Sequence, residues 1–209
     1  MPTSASDNGV QTAPYAAVIP LGSWCMFCTN LVVNNKRVQA LPLDWLFISP
    51  NSVRHMIETD FAYLHDQFYI AKTDWCLQPC SQHTFYHAMD TAYSVDFKDK
   101  HVFNHHDLTD PQVLETSERR TKRLLKIVFG QKSKLFVMTS LPLDNKDVEY
   151  VKFQNACTEV YLSACSKYEN FDFVCVFLHD GPTVPCGSIT KKERTKLSFW
   201  KARNTDFIK

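Results

Sequence analysis

Short apolar runs alternate with helix-periodic segments along this chain of 209 residues, and this order limits the possible folds more than any other feature. Apolar runs at 16–21, 135–138 and 171–178 have the length and composition of strands. Strands that alternate with helices are typical of α/β domains, because a helix returns the chain for the next parallel strand. We therefore predict an α/β fold, in which a single layered domain over 15–209 has a mixed, partly parallel central sheet flanked by helices.

Helix signals lie between these strands. Ser23 has the position of an N-cap, and Asp110-Pro111 is an N-cap followed by a proline in the first helical position. The predicted helices span 24–33, 50–67, 111–129 and a segment that begins at Asp144 or Asn145, with the apolar stripe Tyr150, Phe153, Cys157, Val160 and Ala164.

The remaining stretches have no clean period. Residues 68–93 are rich in aromatics, histidine and cysteine, and we expect a loop with short elements there. Alternation at 93–97 and 101–104 predicts a hairpin. Beyond Gly181 the chain is basic, and we expect irregular structure with one strand at 197–200.

Charge and composition exclude several classes of protein. Lys+Arg 23 against Asp+Glu 22 gives no electrostatic reason to expect nucleic acid as a partner. No apolar run reaches about 18 residues, so we expect no membrane partner. The polar residues 1–14 read as a disordered tail rather than a signal peptide. With no N-x-S/T sequon, the eight cysteines are expected to be reduced thiols in an intracellular, cytoplasmic protein.

Chemically capable side chains follow the predicted strands. In parallel sheets, ligands bind outside the carboxyl ends of the strands. The convergence of such groups at four strand ends is the main sequence argument for an active site. The groups are Ser23 and Cys25, then His105, His106 and Asp107, then Thr139 and Ser140, and finally His179 and Asp180.

Cys25 is the candidate nucleophile. It would lie in the first turn of a helix, where the helix dipole and unpaired N–H groups favour a thiolate. The alternative is a buried structural cysteine, and Ser23 is a weaker candidate nucleophile because it lacks the flanking glycine of a nucleophile elbow. The other cysteines are assigned to the core (Cys28, Cys157, Cys165 and Cys175) or to loops (Cys76, Cys80 and Cys186).

A cysteine nucleophile needs a base and an orienting group. Of His105 and His106, only one can face Cys25, because neighbouring residues of a strand point to opposite faces. Asp107 either orients that histidine or caps the next turn. His179-Asp180 is either a further contributor or a turn.

The run Leu41-Pro42-Leu43-Asp44-Trp45 places a carboxylate between apolar residues. A buried Asp44 needs a partner, either Arg37 or a catalytic histidine, unless it caps a turn. Trp24 and Trp45 are candidate binding residues that line the site. The basic run Arg119-Arg120 and Arg123 is interpreted as a solvated helix face.

Metal chemistry competes with a thiol mechanism. Cys25-x-x-Cys28 and Cys76-x-x-x-Cys80, with His83 and His87 nearby, offer zinc-ligand types at poor spacing. We therefore predict no metal and no cofactor.

The ordered set Leu21-Gly22-Ser23-x-Cys25, Arg37, Pro42-Leu43-Asp44-Trp45, Asp60-Phe61, His106-Asp107 and Arg119-Arg120-x-x-Arg123-Leu124 resembles a papain-like cysteine peptidase family, a domain of unknown function. The resemblance covers about 18–140 and extends more loosely through the strand at 173–178. It implies Cys25 as nucleophile, His106 as base, and Asp44 and Asp107 as acidic positions, with an α+β papain-like fold as the alternative architecture. Trp24 and Leu43 depart from the family pattern.

Two functional hypotheses follow. The first is a cysteine-dependent hydrolase (peptidase- or amidase-like) or acyl transferase, acting on a peptide, amide or glycan-linked substrate through Cys25 and His106. The second is a non-enzymatic module that binds a glycan, nucleotide or peptide in the same crevice.

Overall fold

A five-stranded sheet forms the centre of the molecule, in the order β1-β4-β5-β7-β6. This computed structural model describes residues 15–22, 26–34, 39–71, 80–103, 105–141, 147–179, 184–189 and 195–203. Along the chain the elements are β1 (Ala17–Pro20), α1 (Met26–Val33), α2 (Pro50–Glu58), β2 (Phe68–Ala71), β3 (Cys80–His83), α3 (Thr84–Tyr93), α4 (Pro111–Val128), β4 (Lys134–Thr139), α5 (Asp147–Lys167), β5 (Phe171–His179), β6 (Val184–Ile189) and β7 (Thr195–Arg203).

Four strands of this sheet, β1, β4, β5 and β7, are parallel, and β6 is antiparallel to β7. The predicted α/β class with a mixed, partly parallel sheet is confirmed. Among the described strands, β1 is an edge strand of the sheet. Pro20, which has no N–H, therefore breaks no hydrogen bond to a strand on the outer side of β1.

Helix α5 packs its apolar stripe on β5, as the sequence predicts. Phe153, Cys157, Val160 and Ala164 are buried, and the Tyr150 ring lies 5.3 Å from that of Phe177. At α4, Asp110 Oδ1 accepts from Gln112 N at 2.8 Å, which confirms the predicted cap. The caps predicted at Asp144 or Asn145 and at Ser23, together with the tail 1–14, lie outside the described residues.

The predicted helix over 50–67 is wrong beyond Glu58. Asp60 and Phe61 have φ of 52° and 62°, so the chain reverses through the left-handed region after α2. Phe61 N then donates to Met56 O. Phe61 and Leu64 are nevertheless buried, so the periodic stripe identified core residues but not their backbone conformation.

The predicted hairpin over 93–104 is also wrong, and the predicted loop with short elements over 68–93 missed the ten-residue helix α3. β2 and β3 form a separate antiparallel pair, and α3 follows at once. Its start is capped by the His83 ring, whose Nδ1 accepts from Tyr86 N, a cap that sequence rules do not include. Residues 95–97 form a single 3₁₀ turn, and Phe103 makes only an isolated bridge to Ser81. Beyond Gly181, the strand predicted at 197–200 is confirmed within β7, whereas β6 was not predicted.

A buried carboxylate joins α3 to α2. Asp90 Oδ1 accepts from Ser49 N at 2.8 Å and from Ser52 Oγ at 2.5 Å. Burial raises the pKa of Asp90 from 3.8 to about 6, against the opposing effect of these hydrogen bonds. Because the folded chain holds this proton more tightly than the unfolded chain, Asp90 makes the folded state lose stability as the pH rises from about 4 to about 6.

We therefore expect the Asp90→Asn variant to gain stability relative to the natural chain as the pH rises. Between pH 4 and pH 7 the difference in free energy of unfolding should shift by roughly 2–3 kcal/mol. Urea unfolding of both chains at pH 4, 5, 6 and 7 measures this difference and cancels the other titrating groups. A difference that does not change with pH would contradict the expectation.

Candidate active site

The turn after β1 leads towards Cys25. Leu21 N donates to Val137 O, and Gly22 then adopts φ of +78°, which side-chain-bearing residues rarely adopt. A Cβ on Gly22 would lie 2.5 Å from Ile48 Cγ1. Glycine is thus required both for the turn and for close packing on the segment that ends at Ile48. Ser23, Trp24, Cys25 and Arg37 lie outside the described residues, and α1 begins at the residue after Cys25.

The Asp44 carboxylate lies in a buried turn. Its side chain is 2% exposed, and Oδ2 accepts from Leu41 N at 2.8 Å while Asp44 N donates to Leu41 O. The sequence left two alternatives open for Asp44, an ionic partner or a turn cap, and these hydrogen bonds are those of a turn cap. The carboxylate fixes the run in which Trp45 follows.

The segment from Trp45 to Ile48 contacts the histidine region as well as Gly22. The Trp45 and His105 rings meet edge to face, with centroids 5.7 Å apart. Phe47 N donates to Val102 O at 3.2 Å. One short segment therefore packs against both the turn that precedes Cys25 and the stretch that carries the histidines.

A hydrogen-bonded loop holds His106 in position. Ser81 N donates to His106 O at 3.0 Å, and Leu108 N donates to Ser81 Oγ at 2.8 Å. Asp107 Oδ1 accepts from Thr109 N and Thr109 Oγ1 at 2.9 and 2.6 Å, and from Ser81 Oγ at 3.4 Å. Asp107 thus caps the following turn and fixes the backbone next to His106.

The two histidines differ in environment. His105 is exposed, whereas His106 is half-buried and lines a cleft of about 320 Å³ against α4. Burial, helped by the positive charge of Arg120 and by His105, lowers the pKa of His106 to about 4. The His106 imidazole is therefore neutral at pH 7, and its lowered pKa makes it a weaker proton acceptor than an ordinary histidine.

The sequence predicts that the basic run on α4 is a solvated face, and the structure shows that only part of the run is exposed. Arg119 is exposed, but Arg120 lines the cleft with His106. Arg123 Nη1 donates to Ala40 O at 2.9 Å, next to the turn of Asp44. Sequence reasoning missed both roles, although the four-residue spacing of Gln112, Thr116 and Arg120 puts them on one face of α4.

Of the four strand-end groups predicted to meet, the one with Ser23 and Cys25 lies outside the described residues. β4 ends at Thr139, and the Ser140 hydroxyl that follows accepts from Leu178 N and donates to Leu141 O, which is a structural role. His179 is the last residue of β5, and Asp180 lies outside the described residues. The stretch 105–107 is not a strand end of this sheet: it follows the bridge between Phe103 and Ser81.

The core assignment of Cys28, Cys157, Cys165 and Cys175 is confirmed, since all four are buried. The loop assignment of Cys80 and Cys186 is wrong. Cys186 lies within β6, and Cys80 is the buried first residue of β3, with its Sγ 3.3 Å from His101 Nδ1. Within the described part of the chain, no group of three or more metal-ligating side chains is found. The buried thiols, which form no disulfide with one another, are Cys28, Cys80, Cys157, Cys165 and Cys175.

Comparison with known families places the chain. Residues 16–181 match the family described as "Putative papain-like cysteine peptidase (DUF1796)", and the chain belongs to this family. Neither the curated proteins nor the solved structures give a match. None of the helices in the described ranges is both long and apolar enough to cross a bilayer.

Proposed function

We propose that the protein is a cysteine-dependent hydrolase or acyl transferase in which Cys25 is the nucleophile and His106 the base. The observation that carries the proposal is the packing of Trp45–Ile48 against both Gly22 and the stretch from Val102 to His105. Cys25 follows Gly22 by three residues, and three residues of chain reach at most about 11 Å. Family membership adds support for thiol chemistry.

The reaction would proceed through a thioester. The neutral imidazole of His106 takes the Cys25 thiol proton as sulfur attacks the substrate carbonyl carbon. The resulting imidazolium returns that proton to the leaving amine, and the C–N bond breaks. Water, or a second nucleophile in acyl transfer, then releases the acyl group. Backbone N–H groups from Ser23 to Met26, at the start of α1, would hold the oxyanion, because first-turn N–H groups have no partner within a helix.

Further residues have supporting roles in the proposal. Asp107 fixes the backbone beside His106, and Asp44 fixes the run that carries Trp45, so both carboxylates act as positioning groups. Trp24 and Trp45 would flank the substrate, with His105, Ser23, His179 and Asp180 as further binding positions. The buried thiols suit a reducing compartment such as the cytoplasm.

Alkylation of Cys25 tests the proposal. Iodoacetamide labelling between pH 5 and 9, followed by peptide mass spectrometry, should give Cys25 a thiol pKa below the ordinary value of about 8.5. The His106→Ala variant should label at least about tenfold more slowly at pH 6, because the thiol loses its base.

The His105→Ala variant is the comparison, since it removes the neighbouring imidazole and its contact with Trp45, and it should slow labelling much less than His106→Ala does. An ordinary thiol pKa, or labelling that is indifferent to both histidines, would refute the enzyme and favour the binding module. Equal slowing in the two variants would show that His106 has no special role.

A further inference from the structure

The cleft beside His106 is lined mainly by hydrogen-bond donors. One face of α4 contributes Gln112, Thr116, Ser117 and Arg120 to the lining, and the Ser117 hydroxyl is already hydrogen-bonded to His65 Nε2 at 2.9 Å. Its volume of about 320 Å³ lies at the small end of ligand pockets. The cleft therefore has room for one small group next to the imidazole.

The charge in this cleft favours an anion. Among the described residues that line the cleft, the one acidic side chain is Asp110, whose Oδ1 already accepts from Gln112 N as the helix cap. Glu115 and Glu118 are exposed elsewhere on α4. A guanidinium binds carboxylate or phosphate oxygens through paired hydrogen bonds.

We propose that this cleft binds an oxyanion group of the substrate, a carboxylate or a phosphate, through Arg120 at the side of His106. The inference rests on the proposed function only in assigning the anion to the substrate. It makes Arg120 a specificity-determining residue and restricts the substrate to molecules with a negative group close to the reacting bond.

Anion binding would also prepare the base. Arg120 and His105 are the charged or titratable groups that lower the pKa of His106, with burial as the largest cause and Asp110 across the cleft. An anion on Arg120 offsets its charge, so the pKa of His106 rises and the imidazole accepts a proton more readily.

Direct binding to a Cys25→Ser chain tests this inference without any catalysis. With ¹³C-labelled histidine, the His106 resonance, assigned from His106→Ala, is titrated with pH and with three probes. N-acetylglycinate supplies a carboxylate, inorganic phosphate supplies the other anion, and N-acetylglycinamide is the uncharged control. Both anions should raise the pKa of His106 and the amide should not. The anion that binds more tightly shows whether the cleft is suited to a carboxylate or to a phosphate group of the substrate.

Arg120→Gln should weaken anion binding at least about tenfold and raise the pKa of His106 without ligand. Arg120→Lys, which keeps the charge but not the fork, should be intermediate, and Arg119→Gln should bind like the parent. Backbone amide spectra confirm that each variant is folded. Equal anion binding by the parent and Arg120→Gln, or equal binding of the amide, would overturn the inference. Failure of Cys25 alkylation with intact anion binding would instead remove only the proposed function.

Discussion

Replacing Lys134 with methionine should lower the free energy of unfolding by about 3–5 kcal/mol. The side chain is 1% exposed at the start of β4, and Nζ donates to three carbonyl oxygens. These are Val128 O at 3.2 Å, Gly130 O at 2.8 Å and Glu169 O at 2.7 Å. The ammonium thus satisfies carbonyls at the ends of both α4 and α5, and methionine fills its space without a donor.

Urea unfolding measures the effect, with Lys132→Met as the matched control. Lys132 is exposed two residues away, so its loss should change the free energy of unfolding by less than about 0.5 kcal/mol. A change below about 1 kcal/mol for Lys134→Met would mean that water replaces the ammonium as donor.

Replacing Gly22 with alanine should cost about 3–5 kcal/mol of stability. The methyl group would meet Ile48 Cγ1 at 2.5 Å and Cδ1 at 2.9 Å, and φ of +78° disfavours any side chain. Since the same turn precedes Cys25, the substitution should also slow Cys25 alkylation at pH 6.

Two further variants separate the causes. Gly130 has no positive φ, and a Cβ added to it would have no neighbour closer than 3.1 Å. Gly130→Ala should therefore lower the free energy of unfolding far less than Gly22→Ala. Combining Gly22→Ala with Ile48→Ala removes the clash but not the strain, so the two substitutions should not add in a double-mutant cycle. Simple additivity would show that Ile48 does not press on Gly22.

The sequence predicts elements that are determined locally. Asp110-Pro111 starts α4, the stripe from Phe153 to Ala164 makes α5, and apolar runs make β4 and β5. The failures lie where distant contacts decide the structure. β3 consists of Cys-Ser-Gln-His and is a strand because it pairs with β2 and with Phe103. The chain reversal at Asp60 occurs without a glycine, so the sequence contains no signal for it.

The same distinction applies to the candidate site. Asp44-Trp45 and the histidine pair stand out in the sequence because a carboxylate between apolar residues and adjacent imidazoles are unusual. That Trp45 meets His105 follows only from the tertiary fold. The sequence predicts that Arg120 lies on a solvated face of α4. What packs against that face depends on the tertiary fold, and in the structure Arg120 lines the same cleft as His106.

The distance between Cys25 Sγ and the ring nitrogens of His106 tests the central claim most directly. A crystal structure of the natural chain should place Sγ within about 4 Å of one of these nitrogens, as proton transfer requires. A separation of more than about 6 Å from both His105 and His106 would contradict a Cys25–His106 catalytic pair.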